Sequence, residues 1–163
     1  MKVTELMLDD WVTGKKWREK PFQITRINDN GRFIYGKTAE NSIVGPFLPE
    51  ELEPIPVTPD RLKAIGFKEY EEDYHNEYVC EKKDGTGYYE VVISWRDSYD
   101  NGALDAFNHV QWDEGWRVNI EGGEGSYNKG WCKTIYFHEV QHALHACGLS
   151  KLADSFKVEN ISK

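Results

Sequence analysis

Gly130-Trp131-Cys132-Lys133-Thr134-Ile135-Tyr136-Phe137-His138-Glu139-Val140-Gln141-His142-Ala143-Leu144-His145-Ala146-Cys147 is the stretch on which the fold class turns. Phe137, Val140, Leu144 and Cys147 recur at spacings of 3, 4 and 3, which lines them up as one apolar stripe of a helix. Gly148 follows, and glycine readily takes the left-handed backbone that ends helices. The spacing predicts a single long helix from about Gly130 to Cys147, covering a sheet with residues 131 to 147. The Gly-rich run Glu121 to Gly125 leads into it.

Upstream of this helix, aromatic and β-branched runs at Tyr74 to Cys80, Gly87 to Trp95, Phe107 to Trp112 and Trp116 to Ile120 predict an antiparallel meander. Lys83 to Gly87 joins the first two strands, and Asp113-Glu114-Gly115 joins the last two as a tight turn. The segment from Leu152 to Val158 reads as a helical turn or a last strand. Nearer the start, Trp11-Val12, Phe22 to Ile27, Arg32 to Gly36 and Ser42 to Phe47 read as short strands, with a hairpin at Asn28-Asp29-Asn30-Gly31. Glu53-Pro54-Ile55-Pro56-Val57 is an extended connector, because each proline fixes its own φ and restricts the residue before it. Thr58-Pro59-Asp60 then starts a short helix, with Thr58 as its cap, and Gly66 stops it. The expected fold is α+β. An SH3-like small β-barrel spans residues 1–57, a connecting helix spans 58–66, and an antiparallel sheet packed by one long C-terminal helix spans 67–163.

A formal net charge of −8, from 20 Lys and Arg against 28 Asp and Glu, repels phosphate backbones and anionic membrane surfaces. Nucleic acid and membranes are therefore set aside as partners, leaving a protein or a small ligand. With 39% hydrophobic and 13% aromatic residues, the chain has the means to fill a core. Three dispersed cysteines, Cys80, Cys132 and Cys147, without a C-x-x-C pair, fit a reducing compartment, and each reads as a small buried hydrophobe. Glu5, Asp9 and Asp10 stand where a signal peptide needs basic and then apolar residues, so the expected location is cytoplasmic.

Within the predicted helix, His138 to His142 spell H-E-x-x-H. Histidines one turn apart can present two ring nitrogens to one Zn²⁺ while the glutamate polarises a bound water. In that reading His138 and His142 are ligands, Glu139 is the general base, and the product is a small zinc-dependent hydrolase of metallopeptidase type. A catalytic zinc needs a third protein ligand. His145 lies in line with the other two and cannot readily complete a tetrahedron. Asp154 and Glu159 are the acids that follow, and Glu159 is the candidate. The competing expectation is that the row is polar surface or hydrogen-bonded packing, with no catalytic residue, no metal ligand and no cofactor.

Other patterns fail on single positions. Asp97 to Gly102 has Tyr99 where a calcium loop needs an oxygen ligand. Asp84-Gly85-Thr86-Gly87 lacks the Asp-Thr-Gly of aspartic proteases and suits a hairpin. Gly122 to Gly125 carries acids where a phosphate loop carries lysine. Trp95, Trp112 and Trp116 are read as core or cross-strand aromatics rather than a ligand platform.

Three stretches together carry a resemblance: Glu5 to Val12, Pro54 to Pro59 with Gly66-Phe67, and His138 to Leu144 with Cys147-Gly148-Leu149. The chain thereby resembles a family of small uncharacterised proteins from anaerobic gut bacteria and their phages or prophages. The resemblance implies no biochemical activity and no catalytic residues. It also implies that the helix carries a His-x-x-Gln pattern, here His138 and Gln141, in which the positions of Glu139 and His142 are often other polar residues. The expected function is a non-enzymatic binding or accessory role for a protein of phage or mobile-element origin.

Overall fold

Two adjacent side chains, Trp11 and Val12, lie in different hydrophobic cores. They belong to β1 (Trp11–Gly14), all four residues of which are buried. Successive side chains of a strand point to opposite faces, so β1 must be covered on both. This two-sided strand organises the molecule. The structure is a computed structural model that describes residues 6–16, 20–72, 75–84, 87–100, 111–122 and 124–156.

On the Val12 side, β1 is part of an antiparallel sheet with β2 (Phe22–Asn28), β3 (Phe33–Thr38), β4 (Ile43–Phe47) and β5 (Leu52–Pro54), in the order β4-β3-β2-β1-β5. Its core gathers Leu6, Val12, Phe22, Ile24, Ile34, Val44 and Leu52. Phe22 is fully buried and stacks on Phe47 with ring centroids 5.0 Å apart. Gly36 on β3 lies against that ring, where a Cβ would collide with Phe22 and stand 2.7 Å from the Gln23 carbonyl oxygen.

On the Trp11 side lies the larger core. It is lined by a second antiparallel sheet of β6 (Lys68–Glu72), β7 (His75–Asp84), β8 (Gly87–Arg96), β11 (Gly115–Gly122) and β12 (Gly125–Cys132), in the order β12-β11-β8-β7-β6. Between β8 and β11, the short β9 (Tyr99–Asp100) and β10 (Gln111–Trp112) pair as a ribbon. Register places Tyr78 opposite Ile93 and Ile93 opposite Val118, so one face of the sheet is a continuous apolar layer. Three helices lie in this half of the chain: α1 (Pro59–Ala64), α2 (Phe137–Ala146) and α3 (Ser150–Ala153). Phe137, Val140, Leu144 and Cys147 are each at most 2% exposed, as the 3-4-3 spacing requires.

The α+β expectation is overturned: the chain is mostly β, in two antiparallel sheets, with only short helices. No long C-terminal helix exists, because residues 125–132 form strand β12 and α2 runs only from Phe137 to Ala146. The physical reason lies in the residues ahead of α2. Ser126, Tyr127, Asn128 and Gly130 are poor helix formers, and a turn at Gly122, which has φ +112°, folds them back so that Tyr127 pairs with Ile120 and Lys129 with Val118. The SH3-like barrel is overturned as well. The first sheet is open, with β4 and β5 as its edges, and the strand count that suggested closure is met by wrapping β1 against α2 instead.

Other expectations meet the structure piecemeal. The predicted strand from Phe107 to Trp112 lies outside the described residues except for Gln111 and Trp112, and these pair with Tyr99 and Asp100 rather than with β11. The connector is extended as expected, but it is a seam as well as a linker. The Val57 amide donates to Ile135 O at 2.9 Å and the Phe137 amide to Ile55 O at 3.0 Å, stitching it to the segment that enters α2. At the start of α1, Thr58 Oγ1 accepts from the Arg61 amide at 3.4 Å. Replacing Thr58 with alanine is expected to cost about 1 kcal/mol in urea unfolding, the usual value of a lost threonine cap.

Candidate functional site

Helix α2 carries the motif, and each of its polar side chains has a definite neighbour. Tyr136, the residue before α2, lends its backbone amide to Glu139 Oε2 at 3.0 Å. This is the reaching-back half of a capping box, which satisfies a donor that the first turn would otherwise leave open. The other oxygen, Oε1, accepts from Lys129 Nζ on β12 at 2.9 Å. Partial burial works against the Lys129 ammonium, yet its hydrogen bond to Glu139 and the charge there outweigh that and raise its pKa. Both oxygens of Glu139 are thus engaged on the β12 side of the helix.

His142 points elsewhere. Its Nε2 donates to Asp10 Oδ1 at 2.8 Å, and the second oxygen of that carboxylate accepts from the Met7 amide at 2.7 Å. Asp10 is 2% exposed, so this ion is held by hydrogen bonds rather than by water, the condition under which a buried carboxylate is tolerated. Gln141, 1% exposed, makes the companion contacts. Its Oε1 accepts from the Trp11 amide and its Nε2 donates to the Asp9 carbonyl, each at 3.3 Å. The amide group therefore acts like a short piece of neighbouring strand, supplying one donor and one acceptor to the backbone of β1 and the residue before it. Asp9 takes a left-handed backbone, φ 71°, in the turn that presents these groups.

His138 is 6% exposed. Its ring stacks on Tyr136 at 5.8 Å and meets the His142 ring edge-on at 5.7 Å and 75°. The expectation of a partly solvated histidine face fails here, because β1 covers it. His145 lies at the far end of α2, with its Nδ1 2.9 Å from Ser150 Oγ and its Nε2 3.9 Å from Asp154 Oδ1. Asp154 therefore accompanies His145, not the His138–His142 pair. Glu159 lies outside the described residues, and among the described residues no group of three His, Cys, Asp or Glu side chains is placed to hold a metal ion.

The motif residues thus divide between two neighbours. A zinc hydrolase requires both histidines and the glutamate to converge on one ion and its water, whereas here Glu139 serves β12 and His142 serves the turn before β1. The sequence reading missed Asp10, Asp9 and Lys129 as partners of α2 and named Gln141 only through the resemblance. That resemblance was the one available signal, since it pairs the stretch containing Asp9 and Asp10 with the stretch containing Gln141.

No protein-family model, curated protein or solved structure matches the chain. No helix among the described residues is long and apolar enough to cross a membrane. The tryptophans weighed as a ligand platform divide: Trp95 and Trp116 pack against each other at 4.9 Å in and beside the larger core, while the Trp112 side chain lies outside the described residues. The three cysteines are free, and burial pushes each thiol's pKa up, which suits unreactive packing residues.

Proposed function

We propose that the chain is a non-enzymatic binding or accessory protein in which H-E-x-x-H is a structural strut, joining β1 to the helix over the larger core. One observation carries this reading: Glu139 and His142 are aimed at different neighbours, Lys129 at 2.9 Å and Asp10 at 2.8 Å. A general base that neutralises a lysine and caps its own helix is poorly placed to take a proton from water. The origin in a phage or other mobile element rests on the resemblance of the three quoted stretches.

Metal analysis tests the proposal. Protein purified, incubated with micromolar Zn²⁺ and desalted is expected to retain no stoichiometric zinc, and His142→Ala is expected to leave that result unchanged. Stoichiometric zinc in the parent protein that disappears in His142→Ala would overturn the proposal in favour of the zinc-dependent hydrolase, with His138, His142 and Glu159 as ligands and Glu139 as base.

A further inference from the structure

At the end of the larger core away from the Asp10–His142 contact, the corner between α2 and α3 meets β7 and β8. The corner is rigidly made. Gly148 has φ +74°, and the Leu149 amide returns to the Leu144 carbonyl at 2.8 Å, the backbone pattern of a glycine-terminated helix. Between it and the strands lies an open groove of about 790 Å³, lined among others by Tyr88, Leu149, Leu152, Ser150, Lys82 and Lys151. Its size falls within the roughly 300–1,000 Å³ of small-molecule sites, which combine an apolar lining with a few convergent polar groups.

The lining has a definite sign. Lys82 and Lys151 both contribute to it, and no Asp or Glu does, on a chain whose net charge is −8. The apolar part comes from leucine and tyrosine carbon, with Tyr88 44% exposed. A ligand matching both features has an apolar body to lie along Tyr88, Leu149 and Leu152 and a single negative head to sit by the lysines, where the Ser150 hydroxyl is an added donor.

We infer that this groove binds a small amphipathic carboxylate, a free molecule with a carboxylate head and an aliphatic or aryl body. The inference names a ligand class for the binding role proposed above and rests on that role. Zinc analysis decides the role, and the titration below reads out independently of zinc.

The test is titration of the full chain with octanoate and, in parallel, with octanol, followed by calorimetry and by the tyrosine ring signals in NMR. Octanoate is expected to bind saturably at one site, more tightly than octanol, and to shift Tyr88. Lys151→Glu, at an exposed position, is expected to weaken octanoate by about fivefold or more, in line with the loss and reversal of one solvent-exposed charge contact, and to leave octanol unchanged. Tyr88→Ala is expected to weaken both. Absence of saturable octanoate binding, equal affinity for octanoate and octanol, or an unaltered octanoate affinity in Lys151→Glu would overturn the assignment.

Discussion

Asp10→Ala is expected to destabilise the protein by about 3 kcal/mol, the scale set by removing a buried charged acceptor and leaving its donors without it. The carboxylate is 2% exposed and accepts from both the Met7 amide and His142 Nε2. Alanine satisfies neither and leaves a polar pair of donors in a space closed to water. The contact to His142 is the part specific to the strut, so it can be isolated. A double-mutant cycle in urea unfolding with His142→Ala is expected to give a coupling of about 1 kcal/mol, at the lower end for residues in direct contact because the histidine is partly solvent-exposed. Additive effects within a few tenths would remove the strut from the account of H-E-x-x-H.

The second large effect is expected at Gly36. A single added methyl there would overlap the Phe22 ring and approach the Gln23 carbonyl oxygen to 2.7 Å. Neither neighbour has room to yield, since Phe22 is fully buried and stacked on Phe47 and Gln23 is paired in β2. Gly36→Ala should therefore cost about 3 kcal/mol, the upper part of the range for overpacked cores. The cause is distinguishable by experiment. Combining it with Phe22→Leu, which vacates the clashing ring atoms, should give a double mutant more stable than the sum of the two losses predicts. Strict additivity would mean that the glycine serves backbone freedom and not the ring.

Much of the molecule could be read in the chain because local rules govern it. The strands around Phe22, Ile34 and Val44, the extended prolines at 54 and 56, the Thr58 cap and the Asp84–Gly87 pairing of β7 with β8 all sit where alternation and turn chemistry put them. Strand β12 was hidden for a physical reason. Gly125 to Cys132 has an edge position and a mixed burial pattern, so it lacks apolar alternation, and its strand character comes from pairing with β11. Strand β6, exposed throughout, was missed on the same ground. The candidate site shows the same division. Helical spacing correctly aligned the buried stripe of α2, but what Glu139 and His142 face is decided by Lys129 and by Asp10, the latter 132 residues away.

That separation has a bearing on how the chain comes together as it is made. Strand β1 finds β2 and β5 among the next few dozen residues, so the Val12 face can be enclosed while synthesis continues. Its Trp11 face has no cover until residues near Gln141 and His142 leave the ribosome, and with chains growing at about 5–20 residues per second that wait lasts several seconds. For that interval a tryptophan and an acidic turn lie open to other molecules. Asp9 and Asp10 then stand beside Trp11 as like charges that discourage its association with neighbouring nascent chains, before one of the two becomes an internal hydrogen-bond acceptor.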